Sequence, residues 1–447
     1  MSAAIEAHRR GARVTLIDEA EKPGGQIYRQ GATGSELRVG LSSELKRKNE
    51  LLSRFSQIRD QIEYLSGCTA YALFQGPELH LSDAAGSRIV RPDAVVLATG
   101  VCERAVPFPG WTLPGVFYAG GAQALLKSQG VRIGDRVVVA GAGPLPVVVA
   151  AQLARAGVRV VAVATLQPVL PILLQPLSLW AGRGVLREGW QYLNHLRHND
   201  VELLTRCVPV RADGDSHVES VLLTRHDGTG RPVAGTERRI GCDALAINYG
   251  FTANSELALM AGAKHRYDAG RGGWLPVTDR FSRTSVDGVL VAGDGAGLRG
   301  SWVAESEGRI AGAAAACYYD LPVTLEQELQ KEFEKRSRQE RFQNVVQQML
   351  HLPPGVWGWA EDDTVVCRCE CVTLGRIRQA VSQGHTTMNA IKRNTRAGMG
   401  WCGGRMCLQN VAACASGGRP APDLKPMTPR PLARPVPLQS LNRQVGK

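Results

Sequence analysis

The chain has 447 residues, 44% of them hydrophobic, with 50 glycines and a formal net charge of +12. This length supports two or three domains around large cores, and no apolar run approaches the roughly 20 residues that a membrane-spanning helix needs. The positive charge is spread without a basic block or interleaved aromatics, which argues against nucleic-acid binding, and MSAAIEAHRRGARV lacks the apolar stretch of a signal peptide, so the eleven cysteines point to a reducing cytosol rather than a disulfide scaffold.

The expected elements begin with an internal repeat. AHRRGARVTLID aligns with QLARAGVRVVAVA when Gly11 is set on Gly157, an offset of 146 residues. Each copy reads as a helix end, a glycine turn and a buried strand. The second copy is preceded by RVVVAGAGPLP, a strand entering Gly141-Ala142-Gly143. That pattern opens a dinucleotide-binding βαβ unit, in which glycines let the backbone approach a pyrophosphate at a helix N-terminus. The counterparts of Gly141, Gly143 and Pro146 in the first copy would fall at positions −5, −3 and 0. The expectation is that codons upstream of Met1 supply this apolar strand and glycine loop. A central strand of this kind buries about three or four Val or Ile side chains at ~1.5–3 kcal/mol each, comparable to the ~5–15 kcal/mol stability of a domain.

In the first copy Asp18 closes a strand, where a carboxylate can accept hydrogen bonds from an adenosine ribose. KPGGQIYRQ follows, with Gly24 and Gly25 in a turn that allows close approach of a ligand, next to Gln26. DAVVLATG is a buried strand ending at Thr99-Gly100. In the second copy Pro146 replaces the third glycine and Ala164 stands where Asp18 stands in the first. Ala164 cannot bond a ribose hydroxyl, so this unit is expected either to hold another adenine nucleotide or to be empty. GVLVAGDGAG is a strand ending at Gly293-Asp294, and EGRIAGAAAA after it is a helix with small residues for close packing. A carboxylate there can hold ribityl hydroxyls while helix N–H groups face a phosphate or a flavin carbonyl.

The order of these features (strand-end acid, GGQ, ATG, second glycine motif, GD) resembles the two-dinucleotide flavoprotein disulfide-reductase superfamily, over about residues 1–320. The resemblance implies an α/β fold in which a Rossmann-like FAD domain, residues 1–110 and 272–325, is interrupted by an NAD-like domain, residues 111–271. It implies FAD contacts at Asp18, Gly24, Gly25, Gln26, Thr99, Gly100, Gly293 and Asp294, with Gly141 and Gly143 at a possible second nucleotide. That region holds no C-x2-C redox pair and Cys102 stands alone, which disfavours disulfide reduction.

Residues 326–360 read as helices and a Pro/Trp-containing connector, LPPGVWGWAEDD. Next come Cys367 and Cys369 in C-x-C and, after 32 residues, Cys402 and Cys407 in C-x4-C. The intervening stretch reads as short helices with apolar residues on one side. Two thiolate pairs delivered by separate loops can share the ligand positions of an iron–sulfur cluster. A closed tetrahedral zinc site is the competing reading, although zinc sites more often use C-x2-C knuckles. Cys371 adds a third thiol to the first motif, either as a bystander or as an alternative ligand. The segment is similar to the 2Fe–2S domain of the bacterioferritin-associated ferredoxin family, whose small free-standing members close with C-x2-C. The resemblance implies a small helical 2Fe–2S domain over residues 361–415. The tail, residues 416–447, has seven prolines and is expected to run extended along a partner or its own surface.

GGQIYRQ, GDGAG with EGRIAG, CRCE and TRAGMG together resemble the large α-type subunits of heteromeric flavin dehydrogenases, among them opine oxidases, hydrogen cyanide synthase and D-hydroxyproline or proline dehydrogenase complexes. The resemblance implies an FAD/2Fe–2S oxidoreductase subunit with no catalytic acid or base of its own. Its partners would be a D-amino-acid-oxidase-like β subunit, together with a small 2Fe–2S ferredoxin-like subunit. The complex would be cytoplasmic, or peripheral to the inner membrane through its electron acceptor. The rival is an NAD(P)H-dependent flavin reductase that works alone and uses the cluster as its outlet.

Overall fold

The computed structural model describes residues 1–31, 39–168, 183–319, 322, 324–418, 420 and 424–442. Part of the expected proline-rich tail, 419, 421–423 and 443–447, lies outside them. No helix among the described residues is long and apolar enough to cross a membrane.

The chain begins with α1 (Ser2–Arg9), β1 (Thr15–Asp18), α2 (Ser42–Ser56) and β2 (Glu63–Ser66), and β1 pairs with β2 in parallel. An antiparallel meander follows: β3 (Thr69–Phe74), β4 (Glu78–Ser82) and β5 (Ser87–Val90). Next, β6 (Val95–Leu97) pairs in parallel with Val289–Val291, almost 200 residues on. Among the described residues no strand bridges the β1/β2 pair to the β6 pair.

The chain leaves this domain through β7 (Val101–Glu103) and builds a second one. The order is β8 (Val116–Tyr118), α3 (Ala119–Gln129), β9 (Arg136–Gly141), α4 (Leu145–Arg155), β10 (Arg159–Thr165), α5 (Arg183–His198) and β11 (Glu202–Thr205). Antiparallel β12 (Cys207–Asp213), β13 (Ser220–Arg225) and β14 (Arg238–Gly241) precede β15 (Ala244–Asn248). The sheet β11-β10-β9-β15-β8 is parallel throughout. A parallel sheet covered on both faces needs continuous apolar strands, which explains RVVVAG, RVVAVAT and ALAIN. One face carries α3, α4 and α5 around Val139, Val149, Leu153 and Leu196. The other carries β12–β14 around Phe108, Trp111, Leu223 and Tyr249.

Then β16 (Phe251–Ala253) returns alongside β7. The hairpin β17 (His265–Asp268) and β18 (Gly273–Pro276), strand β19 (Val289–Val291) and α6 (Ser301–Ala316) complete the first domain. The small residues of EGRIAGAAAA let α1 lie on α6: a side chain on Gly312 would overlap the backbone of Ala3, and one on Gly308 would press on Ser2. The long helix α7 (Gln330–Leu350) then leads to a 3-10 turn, Pro354–Gly358.

Candidate functional site

The four motif cysteines come together on a small helical unit. Cys367 ends a two-strand hairpin, Val365–Cys367 against Val372–Thr373. Two helices follow, α8 (Leu374–Ser382) and α9 (Met388–Thr395). Each starts where a threonine hydroxyl accepts a backbone N–H, Thr373 from Arg376 at 3.5 Å and Thr387 from Ala390 at 3.2 Å. Leu374, Ile377 and Ala380 of α8 and Met388 and Ile391 of α9 face inward. They pack with Val411 and Ala412 of α10 (Leu408–Ala415). The loop between α9 and α10 brings back Cys402 and Cys407.

Cys367, Cys402 and Cys407 are buried, Cys369 is half-buried and Cys371 is exposed. The four thiols are close enough to bias one another's titration, Cys407 acting most strongly on Cys367. The Cys407 thiol and, against burial, the N–H groups of Gly398, Glu370 and Cys369 pull the Cys367 thiol down to about 6. Cys407 is held well above its usual value by Cys367 and by burial, and it also senses Cys402 and Cys369. Burial pushes Cys369 up to about 11. Four thiolates this close repel one another, and a group that brings positive charge between them relieves the repulsion. Among the described residues no three Cys, His, Asp or Glu side chains close on one ion-sized point. Four cysteine sulfurs that close on no single point suit a two-iron group with two thiolates per iron better than a single tetrahedral zinc. Cys371, at φ 50, instead turns its sulfur back toward the Arg368 carbonyl at 3.8 Å.

This unit is docked where the two larger domains meet. Trp111 donates to the Val365 carbonyl at 2.7 Å, and Asn410 to that of Ala105 at 3.1 Å. Trp274 of β18 belongs to the same core as Met388 and Val411. Cys102 of β7 lies under the cysteine loop, its sulfur 3.9 Å from the Arg405 carbonyl. Burial pushes its thiol up to about 12, so it is a neutral packing group rather than a nucleophile. Tyr118 is half-buried here, edge-on to Trp111 with ring centroids 6.5 Å apart, and its buried hydroxyl lacks a partner among the described residues.

The β6/β19 pairing brings the ATG and GDG turns together. Thr99 Oγ1 donates to the Asn254 carbonyl at 2.6 Å, and Asn254 Nδ2 returns a bond to Thr99 O at 3.0 Å. A Cβ on Gly295 would stand 3.3 Å from Thr99 Oγ1. Gly100, at φ 65, faces open space. Asn254 Oδ1 is buried without a partner, an acceptor available to a ligand between the two turns. Asp294 Oδ1 holds its own turn by accepting from Arg299 N at 2.9 Å and Gly300 N at 3.0 Å. Glu307, buried and ion-paired with Arg299, accepts the Gly293 N–H at 2.9 Å. Burial pushes both carboxyls, Asp294 and Glu307, upward.

Asp18 ends β1, accepts the Ala20 N–H at 3.0 Å and is likewise raised by burial. Arg29, from the GGQIYRQ segment, is close enough to bias it. Gly25, at φ 59, is open to solvent on its side-chain face, and Gln26 accepts from Arg29 at 2.7 Å. Arg47 lies near enough to Tyr28 to bias its hydroxyl, and it stacks 4.6 Å over Trp302 in the first turn of α6. The GGQ turn is thus tied to the helix that follows GDGAG. These open glycine backbones, the strand-end acid and the orphaned Asn254 oxygen suit an extended flavin nucleotide. Asn254, Arg47 and Trp302 are not legible as site residues in the sequence, and Glu307 reads there only as part of a small-residue helix. Their place comes from β16 and α2 folding back over the turns.

The second glycine turn is explained by the protein itself. A side chain on Gly141 would overlap the Asn248 carbonyl of β15, and one on Gly143 the Cδ2 of Leu350. Ala164 is fully buried.

Residues 1–317 match the pyridine nucleotide-disulphide oxidoreductase family, and residues 365–414 match the BFD-like 2Fe-2S binding domain. An opine oxidase subunit of Agrobacterium tumefaciens (strain Ach5) is 34% identical, over 92% of this chain and 82% of that protein. Hydrogen cyanide synthase subunit HcnB of Pseudomonas aeruginosa is 33% identical, over 91% and 88%. Among solved structures, L-proline dehydrogenase from P. horikoshii superposes with a TM-score of 0.66 at 20% identity, over 99% of this chain and 77% of that one, a likeness of fold. The matched domains imply FAD and a 2Fe–2S cluster as cofactors. The chain is therefore an oxidoreductase of the pyridine nucleotide-disulphide oxidoreductase family and belongs, with its C-terminal 2Fe–2S domain, to the group that holds this opine oxidase subunit together with hydrogen cyanide synthase subunit HcnB.

Proposed function

We propose that this chain is the electron-relaying subunit of a heteromeric dehydrogenase that oxidises the C–N bond of an amino acid or opine, with hydroxyproline and glycine as further candidates. A D-amino-acid-oxidase-like subunit would hold the substrate, and a small 2Fe–2S subunit would be a further member. The observation that carries the reading is the position of the four-cysteine unit: β7 runs from the ATG turn at Gly100 to Cys102, directly under the loop of Cys402. FAD exchanges electrons in pairs or singly, and a 2Fe–2S cluster exchanges them one at a time. On this reading Gly25 and Gly100 leave bare backbone for the flavin nucleotide, with Gly24, Gln26, Thr99 and Gly293 holding the same turns. Asp18 receives a ribose, Asp294 fixes the turn before α6, and Cys367, Cys369, Cys402 and Cys407 hold the cluster. The names of the relatives support the amine substrate class, and their description as subunits supports a complex.

The test is co-expression with a neighbouring oxidase-like flavoprotein. The complex should oxidise an amino acid or opine with an artificial dye as acceptor, while the isolated chain should turn over neither amino acids nor NADH at an appreciable rate. In the complex, Cys402→Ser should leave flavin reduction by substrate intact and slow dye reduction. Rapid NADH turnover by the isolated chain would replace this reading with that of a self-sufficient reductase.

A further inference from the structure

Ligands of open parallel sheets bind outside the carboxyl ends of the strands, and a dinucleotide needs its pyrophosphate over the glycine turn there. In the second domain those ends are Gly141 of β9, Thr165 of β10 and Asn248 of β15. The connector leaving α7 lies across all three. Leu350 rests on Gly143, leaving no room for even a methyl group. Its carbonyl accepts from Arg104 at 3.4 Å, and Arg104 also reaches Tyr249 O, just beyond β15, at 2.9 Å. The His351 carbonyl accepts from Gln167, just beyond β10, at 2.7 Å. Leu352, Val356 and Trp359 then enter the same apolar core as Ala142, Ala164 and Leu166. Trp359 meets Tyr249 edge-on at 5.4 Å and donates to Gly230 O at 2.8 Å.

We propose that Leu350 and the connector behind it exclude nicotinamide nucleotides from the second Rossmann unit, making the chain selective for electrons that do not come from NAD(P)H. The connector supplies what a nucleotide would otherwise supply: apolar contact for the alanine-lined cleft, and acceptors for the donors at its rim. Ala164 belongs to the same device, because an acid at that fully buried position would be an unpaired charge inside the apolar core that Leu352 and Trp359 complete. This exclusion goes beyond the relay reading and does not depend on which amine the complex oxidises.

The experiment is a double-mutant cycle on the full flavin- and cluster-loaded chain, read by thermal midpoint. Gly143→Ala must displace Leu350 and also place a side chain at φ 75. In a Leu350→Gly background only the backbone strain remains, so the loss of midpoint should shrink by roughly half or more. NADH, NADPH and ATP are then titrated into wild type and Leu350→Gly, followed by protein fluorescence. The expected result is no saturable binding by wild type below millimolar concentration, and about tenfold or more tighter binding of at least one nucleotide by Leu350→Gly. Equal midpoint losses in the two backgrounds, micromolar binding by wild type, or no gain in Leu350→Gly would each overturn the proposal. Should Leu350→Gly not fold, hydrogen exchange of wild type decides: the amides of 350–359 should be protected equally with and without nucleotide, and deprotection by added nucleotide would overturn it.

Discussion

A methyl group on Gly400 would overlap the Cβ of Cys369, and no side chain other than hydrogen fits there. The cysteine loop is therefore shaped by residues without a donor atom as well as by its cysteines, as metal centres generally are. Gly400→Ala should lower the iron content of purified protein severalfold by pushing Cys369 out of place, although no donor atom is removed. Cys402→Ser should abolish the cluster absorption, and Cys371→Ser should leave it unchanged. Iron analysis, with about two irons per chain in wild type, and visible spectra check all three. Stoichiometric zinc without iron after anaerobic purification would contradict the assignment.

Between elements, the contact of α1 with α6 depends on glycines on one helix face. Here two effects oppose each other. Replacing a helix-interior glycine by alanine gains about 1 kcal/mol of helix propensity, whereas overpacking costs about 1–3 kcal/mol. At Gly308 a built Cβ stands 3.1 Å from Ser2 Cβ, so the first residue of α1 need give by only a few tenths of an ångström, and Gly308→Ala should be near neutral. At Gly312 the obstacle is the Ala3 backbone, which cannot yield without moving the whole of α1. Gly312→Val should destabilise the first domain by about 2 kcal/mol or more, seen as a lower urea midpoint with reduced flavin retention. Equal urea curves for Gly312→Val and wild type would show that α1 is not held in this way.

Across the whole molecule, the described part of the tail acts as a strap over the chain's own surface. The Leu424 carbonyl accepts from Trp274 at 2.9 Å, Met427 is buried in the cysteine unit's core, Ala433 donates to Tyr71 O at 2.7 Å, and Ser440 bonds Ser82 at 2.7 Å. It ties the 2Fe–2S domain to the meander of the first domain. Burying Met427 contributes about 1.5–3 kcal/mol and each hydrogen bond about 1 kcal/mol. Removing residues 424–447 should therefore speed loss of the cluster to a chelator by at least about tenfold, measured as bleaching of its visible absorption. An unchanged bleaching rate would mean that the cysteine unit is held by its contacts with Trp111, Ala105 and Trp274 without the strap.

Much of this protein is written in local pattern. The parallel strands of the second domain are continuous apolar runs, the helix starts carry their threonines, and the ATG, GDG and C-x-C motifs stand at strand ends, all set by short-range chemistry. The family follows from the order of those motifs, since spacing along the chain survives in the sequence. What the sequence did not reveal is which distant segments meet. The approach of Cys402 and Cys407 to Cys367 and Cys369, the orphaned Asn254 oxygen between two turns, and the burial of Cys102 beneath the cysteine loop each join residues far apart in the chain. The glycine turn at Gly141-Ala142-Gly143 shows the difference most sharply. Its residues spell a nucleotide site, yet what rests on Gly143 is Leu350, over 200 residues later. A glycine records only that something approaches closely, and tertiary packing alone decides whether that is a pyrophosphate or the protein's own leucine.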